Sequence, residues 1–421
     1  MDGRVRVVKG RLAGRAALAL VACCAFVALA GCAAGETSGL GEGPGATSDG
    51  AALREGAARL PFAIEGVASD APVVEVADAA KEASLEGVWS FGGDYADIGS
   101  FPLDGDTVFG SHSDDADDVA SYGAALVGKD GAEMLEQPSD DPLRYYEPQD
   151  GSGDAELAVW RSSLVGDTAQ AFADDWRLQA WDAETGEVRT LGAARDVDAH
   201  ATFQAYGDVV PTTNGEDVYF STAMQDGDVW KAVVLSCGLS GSGIGVVAEG
   251  GYPAAVDGGA LFATGLAAGG DPVGFSEVAL LGEAGETTLL SVSSEDSSWR
   301  VSGVWACGDG RAVAFSSDDA AAGSYIGVWD DAFATPLAWL HVQAPTVVAS
   351  MNEDWLVWGS GSQSEHAEMY AFDLDGGRLA LLGATPGYSR PAIAQGSNAV
   401  MLPVFNGASA PVRFEVGMLP S

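Results

Sequence analysis

The chain has few residues of the types on which most metal and nucleophile sites depend. Its 421 residues include only 5 cysteines and 4 histidines, and the histidines show no metal-ligand spacing. Cys23, Cys24 and Cys32 lie near the N-terminus, which leaves Cys237 and Cys307 in the rest of the chain, too few for a disulfide framework. The sequence also lacks the Gly-x-Ser-x-Gly, His-Glu-x-x-His, phosphate-loop and dinucleotide-binding motifs. These absences exclude the common motif-defined hydrolases and nucleotide-binding enzymes.

Basic residues are scarce as well. The chain has 20 Lys and Arg against 61 Asp and Glu, which gives a net charge of −41. Because residues 1–31 contribute five basic residues and Asp2, the rest of the chain carries −45. A surface with this charge repels nucleic acid and anionic lipid headgroups and attracts cations. Adaptation to high salt would also produce an acidic surface, so charge alone does not identify a partner.

The N-terminal apolar run is too short to span a bilayer as a helix, which takes about 20 residues. The run extends from Ala16 to Ala30 and follows five basic residues between Arg4 and Arg15. A basic start followed by a short apolar core predicts a secretion signal.

The signal ends in Leu29-Ala30-Gly31-Cys32, a sequence that resembles the bacterial lipobox. The resemblance implies cleavage after Gly31 and attachment of diacylglycerol to the Cys32 thiol, and acylation at the same residue then gives stable anchoring. The alternative is an ordinary secretion signal with a chance cysteine. We expect residues 1–31 to be a signal peptide and the protein to be held by lipid at the extracytoplasmic face of the cell membrane.

Residues 32–60 contain mostly Gly, Ala, Ser, Thr and Glu, with almost no large apolar side chains. Such a segment cannot bury enough apolar surface to offset the entropy cost of ordering it. We therefore expect a lipidated flexible tether between the membrane and a folded domain that begins near residue 61.

The rest of the chain repeats one strand pattern, in which apolar positions and usually an aromatic residue are followed by small or hydroxyl residues. The aligned positions are Phe109, Trp160, Phe220, Phe262, Phe315, Trp358 and Leu402. Their spacing of 42 to 60 residues is typical of propeller blades and exceeds most helical repeats. Turn residues precede most copies, as at Asn214-Gly215 and Asn352, and predict tight hairpins.

These strands are apolar at consecutive positions, which requires that both faces of each sheet be buried. A propeller supplies this burial, because each blade lies between two neighbours. Three of the following strands end in an aromatic residue and Asp, at Trp181-Asp182, Trp329-Asp330 and Phe372-Asp373. This resembles the third strand of WD40-like, quinoprotein-like and TolB-like propellers. The resemblance implies architecture only, since the Gly-His dipeptide of WD40 blades is absent.

We therefore predict an all-β fold over residues 61–421: a seven-bladed β-propeller of four-stranded antiparallel blades. The last copy lacks a fourth strand, and we expect the apolar segment from Leu85 to Phe91 to supply it and close the ring. Six or eight blades are the alternatives, because the long interval before Phe220 could hold extra strands. The assignment puts Cys237 and Cys307 in non-adjacent blades, which favours two small buried side chains over a disulfide.

Loops between the second and third strands are acidic in several copies and would converge on one rim of a propeller. The candidate rim residues are Asp114, Asp115, Asp117, Asp118, Asp174, Asp175, Asp226, Asp228, Asp318 and Asp319. Converging carboxylates suit Ca²⁺ or a basic partner surface, although solvated charge on exposed loops is the simpler interpretation. No motif requires a cofactor, and no loop has the calcium spacing of an EF-hand.

These features favour a non-catalytic binding or scaffolding module whose acidic rim engages a protein, a cation or a cell-envelope ligand. The alternative is a glycan- or peptide-directed hydrolase or lyase that uses rim carboxylates. A Ca²⁺-dependent structural protein is a third hypothesis. The expected partners are the membrane, through lipid on Cys32, and a protein or cell-envelope component, but not nucleic acid.

Overall fold

The computed structural model describes most of the chain from residue 59 onward. The described residues are 59–92, 97–115, 121–136, 144–166, 176–197, 203–204, 210–226, 229–241, 243–266, 274–293, 298–331, 333–361, 367–385, 390–405 and 413–420. Strands dominate these ranges, and the fold is a propeller arrangement of small, mostly antiparallel sheets. The all-β prediction is confirmed.

The strands form five separate sheets and one ten-stranded sheet. Four short N-terminal strands join sheets whose other strands come later in the chain: β1 Ala63–Glu65, β2 Val73–Glu75, β3 Lys81–Glu82 and β4 Glu86–Phe91. Sheet 1 contains β5 Asp97–Pro102, β6 Thr107–His112, β7 Gly123–Gly128 and β8 Gly131–Met134. Sheet 2 contains β9 Arg144–Gly153, β10 Leu157–Gly166, β11 Trp176–Asp182 and β12 Glu187–Ala193. Sheet 3 contains β13 Phe203–Gln204, β14 Thr212–Thr213, β15 Asp217–Asp226, β16 Val229–Gly238 and β17 Gly245–Glu249.

The remaining sheets take up β1 to β4. Sheet 4 combines β1 and β2 with β18 Gly251–Val256, β19 Gly259–Leu266, β20 Phe275–Gly282, β21 Gly285–Ser293, β22 Trp299–Cys307, β23 Gly310–Ser317, β24 Ser324–Trp329 and β25 Pro336–Val342. Sheet 5 combines β3 with β26 Thr346–Met351, β27 Trp355–Gly361, β28 Ala367–Asp373 and β29 Leu379–Thr385. Sheet 6 combines β4 with β30 Ala392–Ile393, β31 Ala399–Val404 and β32 Arg413–Met418.

Helical structure in the described ranges is short. It comprises α1 Val76–Ala79, α2 Ala194–Val197 and a 3₁₀ turn at Ala320–Ala322. None of the helices in this part of the chain is long and apolar enough to cross a membrane.

The sheets pack face to face around a closed circle. The strands β5, β9, β14, β18, β22, β26 and β30 contact one another in that order, and β30 contacts β5. Val159 and Trp160, adjacent in β10, are both fully buried but lie in different apolar clusters, one on each face of sheet 2. The predicted burial of both faces is therefore confirmed. Crowding near the axis excludes even a methyl group at Gly151, whose Cβ would lie 2.5 Å from the carbonyl oxygen of Val159.

Sheet 4 differs from the prediction of seven separate sheets. It contains two runs of four consecutive antiparallel strands, β18–β21 and β22–β25, joined by a single residue pair, Phe275 with Val301. The two runs also pack against each other through one apolar cluster that includes Val278 and Phe315. The bridging pair merges these runs into one sheet.

The apolar N-terminal segment pairs with the end of the chain, as predicted. Strand β4 runs antiparallel to β32, with Phe91 opposite Phe414 and Trp89 opposite Val416. The rings of Phe91 and Phe414 stack with centroids 5.4 Å apart. Residues from the two ends of the folded region therefore complete one sheet.

The segment that ends with β4 follows the outer edges of the sheets, and we call residues 59–91 the strap. Strand β1 pairs antiparallel with β21, whereas β2 and β3 pair in parallel with β25 and β29. Phe62 is buried, with its ring 4.8 Å from that of Trp299 and 5.1 Å from that of Phe315. The strap thus covers backbone groups that would otherwise form open sheet edges.

Several turns between the first and second strands of a run share one hydrogen-bonding pattern. Asp104, Asp154, Asn214 and Asn352 each accept hydrogen bonds, through a side-chain oxygen, from the backbone N–H groups two and three residues later. This is the local bonding that makes Asp and Asn common in turns. The predicted hairpins at Asn214 and Asn352 are confirmed.

The two cysteines of the folded region are both free thiols. Cys237 is buried in β16, and Cys307 ends β22 in a partly buried position.

Candidate functional site

In each run of consecutive antiparallel strands, the second strand ends and the third begins at the same end of the sheet. We call this end the rim end. Among the predicted rim residues, Asp114, Asp115, Asp318 and Asp319 have described side chains, and all four are exposed. Asp226 is the last residue of β15, and its side chain is not described. The other predicted positions, Cys32, Asp117, Asp118, Asp174, Asp175 and Asp228, lie outside the described residues.

The exposed rim carboxylates interact with nearby groups of the protein. Asp318 forms an ion pair with Arg300. Asp319 accepts a hydrogen bond of 3.0 Å from the backbone N–H of Ala321 and so caps the 3₁₀ turn. Asp114 lies 3.5 Å from His112 Nε2. Within the described ranges, no group of three or more His, Cys, Asp or Glu residues could hold a metal ion.

A histidine–carboxylate pair lies at the rim end of sheet 1. Asp97 begins β5 and His112 ends β6, and the two residues are directly paired in the sheet. His112 Nδ1 lies 2.5 Å from an Asp97 carboxylate oxygen, and both side chains are about one fifth exposed. Asp97 can therefore fix the orientation of the imidazole and hold its proton on Nδ1. This pair was not predicted from the sequence.

An ion cluster lies inside the ring, below the rim. The carboxylate of Asp150, on β9, accepts from Arg390 Nη1 at 2.6 Å and from Arg161 Nη2 at 3.2 Å. Arg390 precedes β30 and is 240 residues from Asp150 in sequence, and β5 lies between their strands in the circle. Burial alone would raise the pKa of Asp150, but Arg390 and Arg161 offset burial and hold that pKa below its ordinary value.

The buried member of the ion cluster is Arg161, which is only 2% exposed, whereas Asp150 and Arg390 are 28% and 25% exposed. Arg161 Nη1 donates to Ser163 Oγ at 2.8 Å, and that hydroxyl donates to Gln149 Oε1 at 3.2 Å. Arg161 Nε is buried and has no hydrogen-bond partner among the described residues. Such an unpaired donor is uncommon in a folded protein.

A carboxyl group that titrates near neutral pH lies beside the ion cluster. Glu147 pairs across the sheet with Ser163, so its side chain shares a face with the hydroxyl bound by Arg161. Burial raises the pKa of Glu147 to about 7. Burial also raises the pKa of Tyr122, with further contributions from the charges of Asp97 and Glu147. Glu147 can therefore accept or donate a proton at neutral pH.

A second polar chain crosses from sheet 2 to sheet 1. Trp160 Nε1 donates to Ser162 Oγ, Ser162 donates to Gln179, and Gln179 Nε2 donates to Glu136 at 2.5 Å. Burial raises the pKa of Glu136 despite the opposing effects of Gln179 and Arg177. Each of these side chains has a partner within the sheets, so the series of hydrogen bonds stabilises packing between the two sheets.

A surface cleft at the opposite end of sheet 5 has a structural explanation. It is lined in part by Trp355, Asp373 and Arg378. Asp373 accepts from the backbone N–H of Gly376 and from Arg378 Nε, each at 2.7 Å. The carboxylate therefore holds the turn between β28 and β29.

The ion cluster was missed from sequence. Arg161 stands inside the apolar run of β10, and Arg390 stands in the short Ser-Arg-Pro segment before β30. An arginine within a strand that is otherwise apolar, in a chain with only 20 basic residues, was the available signal. Asp150 could not be assigned as the partner of these arginines without the three-dimensional arrangement of the sheets in a ring.

No protein-family model matches the chain, and no curated protein matches its sequence. Solved structures do resemble it. An oligogalacturonate lyase in complex with manganese is 11% identical, with a TM-score of 0.54, covering 86% of this chain and 97% of that one. The oligogalacturonate lyase of Vibrio parahaemolyticus is 13% identical, with coverage of 86% and 98% and a TM-score of 0.47. The WD40 repeats of RRP9 are 11% identical, with coverage of 81% and 99% and a TM-score of 0.43. At 11% identity, the likeness to the structure with a TM-score of 0.54 indicates a β-propeller-like fold and says nothing about function.

Proposed function

We propose that the protein is an exported, lipid-anchored β-propeller of seven blades that acts as a non-catalytic binding module. The blade count rests on treating the two four-stranded runs of sheet 4 as two blades. Their mutual packing, and the circle of contacts from β5 to β30, support that count. A crystal structure would test it by counting the sheets around the axis.

The proposed localisation rests on the N-terminal sequence. In this proposal residues 1–31 are removed, Cys32 carries the lipid, residues 32–60 form the tether and residues 61–421 form the propeller outside the cell membrane. Replacing Cys32 with Ser should move the protein from the membrane fraction to the soluble fraction and abolish its labelling by palmitate. Unchanged labelling would contradict lipidation at this residue.

The single observation that carries the binding function is the ion cluster of Arg161, Asp150 and Arg390. Charged groups taken partly out of water are costly unless they are paired, and apolar side chains would fill the same space without that cost. The cluster also combines strands that are not neighbours in the circle. We therefore place the ligand site at the rim end of the ring interior, with the acidic rim around it available to a basic partner surface or a cation.

Affinity capture tests the binding function. The mature chain is used as bait on native membrane extracts, in parallel with Arg390→Gln and with Arg413→Gln as the matched control. Arg413 is 48% exposed and pairs with Glu415 on the same strand. A ligand of the ring interior should be lost with Arg390→Gln and kept with Arg413→Gln. Capture that does not differ between the two variants would contradict this site.

A second candidate function is a glycan- or peptide-directed hydrolase or lyase. The neutral-range carboxyl of Glu147 and the Asp97–His112 pair favour it, because both are groups suited to acid–base catalysis. The likeness to a lyase fold adds only that the architecture can support such an enzyme. Turnover of cell-envelope glycans or peptides by wild type, with at least a hundredfold loss in Glu147→Gln, would support this candidate; no turnover would contradict it.

A further inference from the structure

The ion cluster differs from an ordinary structural ion pair in how its donors are used. Arg161 Nε and Nη2 lie on the same edge of the guanidinium group, the edge that binds carboxylates in a two-pronged manner. Only Nη2 of that edge contacts Asp150, and Nε has no partner among the described residues. The second oxygen of Asp150 is instead bound by Arg390. One carboxylate thus bridges two guanidinium groups and leaves a buried donor beside it.

Two of the three side chains in the cluster are partly exposed to solvent. Arg161 is buried, and Ser163 holds its other edge. Arg390 and Asp150 are each about one quarter exposed, so a small molecule in solvent can reach them. The three side chains carry two positive charges and one negative charge. This combination is unusual within a chain that has 20 basic and 61 acidic residues.

We propose that this site binds a small ligand through a carboxylate group, which contacts Arg390 and is supported from below by Arg161. The inference rests on the binding function proposed above and names its ligand class. The bridging contact made by Asp150 shows that the two guanidinium groups are spaced for a planar group with two oxygens. A doubly charged phosphate would meet stronger repulsion from the acidic rim, so a singly charged carboxylate fits better.

Matched pairs of acids and amides test the inference, because the two members have nearly the same shape and differ in charge. Glucuronate is compared with glucuronamide, and N-acetylalanine with its amide, using the full chain in a neutral detergent and ligand-observed NMR. The acids should bind at least tenfold more tightly than the amides. Arg390→Gln should remove this preference, Arg390→Lys should retain part of it, and Arg413→Gln should leave it unchanged. Inorganic phosphate serves as a third probe.

Each contrary result has a defined meaning. Equal binding of acid and amide to wild type would overturn the carboxylate inference and leave the binding function standing. Acid binding that persists in Arg390→Gln would place the anion elsewhere and also overturn it. Phosphate binding tighter than that of either acid, or no binding by any acid at millimolar concentration, would overturn it as well. Affinity capture with the Arg390 variant then decides the binding function separately.

Discussion

Removal of one aromatic ring from the strap should destabilise the whole domain. Phe62 is 6% exposed, and its ring centroid lies 4.8 to 6.2 Å from those of Trp299, Phe315, Tyr325 and Trp339. Replacing a buried Phe with Ala typically costs about 3–5 kcal/mol, and aromatic pairs add about 0.5–1.5 kcal/mol beyond the buried area. We expect Phe62→Ala to lower the free energy of unfolding by about 3–4 kcal/mol.

The assay is urea denaturation of the full chain, followed by tryptophan fluorescence. Val88→Ala is the matched control, because Val88 also lies in the strap but is 49% exposed. The control should change stability by less than about 0.5 kcal/mol. A loss below about 1 kcal/mol in Phe62→Ala would refute the reasoning, since it would mean that the strap contributes little to the stability of the sheets it covers.

Three further predictions concern titration and metal binding. The folded-state pKa of Glu147 is about 7 against an ordinary 4.5, so between these pH values the folded state holds a proton that the unfolded state has lost, and the stability of the protein falls as pH rises through this window. Glu147→Gln should therefore be more stable than wild type by about 2–3 kcal/mol near pH 8 and no more stable near pH 4. A stability difference that stays constant with pH would contradict this. Burial raises the pKa of Cys237 to about 12 and that of Cys307 to about 11. Iodoacetamide near pH 8 should therefore modify neither thiol before denaturation. Mass spectrometry that finds either thiol modified in the native protein would contradict this. Because Asp318 and Asp319 already bind groups of the protein, EDTA should leave the melting temperature unchanged; a clear drop would indicate a structural ion.

Much of the sheet arrangement could be predicted because its determinants are local. The apolar pairs in second strands, such as Val159 and Trp160, require burial on both faces, and the turn residue Asn352 binds the backbone beside it. Pairing of β4 with β32 could be predicted from a missing strand at one end of the chain and an unpartnered apolar segment at the other.

The strap could not be predicted in the same way. Strands β1 to β3 are two or three residues long, too short to show any periodicity. Their pairing depends on sheet edges that exist only after distant strands have assembled. Phe62 gave a local signal, as one aromatic residue just after a segment without large side chains, but nothing in its neighbourhood specified Trp299 as its partner.

The candidate site was predicted only in part, for a related reason. Local composition identified the acidic rim loops, but the ion cluster depends on residues 240 positions apart. Charge counting favoured the many exposed aspartates over Arg161 and Arg390. A few buried charges have larger energetic consequences than many solvated ones, and burial is not readable from sequence composition.

The most direct test of the account is a double-mutant cycle between Asp150 and Arg390. The two residues can interact only if the last sheet and sheet 2 meet inside one closed ring. With Asp150→Asn and Arg390→Gln, singly and together, urea denaturation should give an interaction energy of about 1–2 kcal/mol. The matched cycle of Asp150→Asn with Arg413→Gln should be additive within about 0.5 kcal/mol. Additivity in both cycles would contradict the ring geometry and the site built on it.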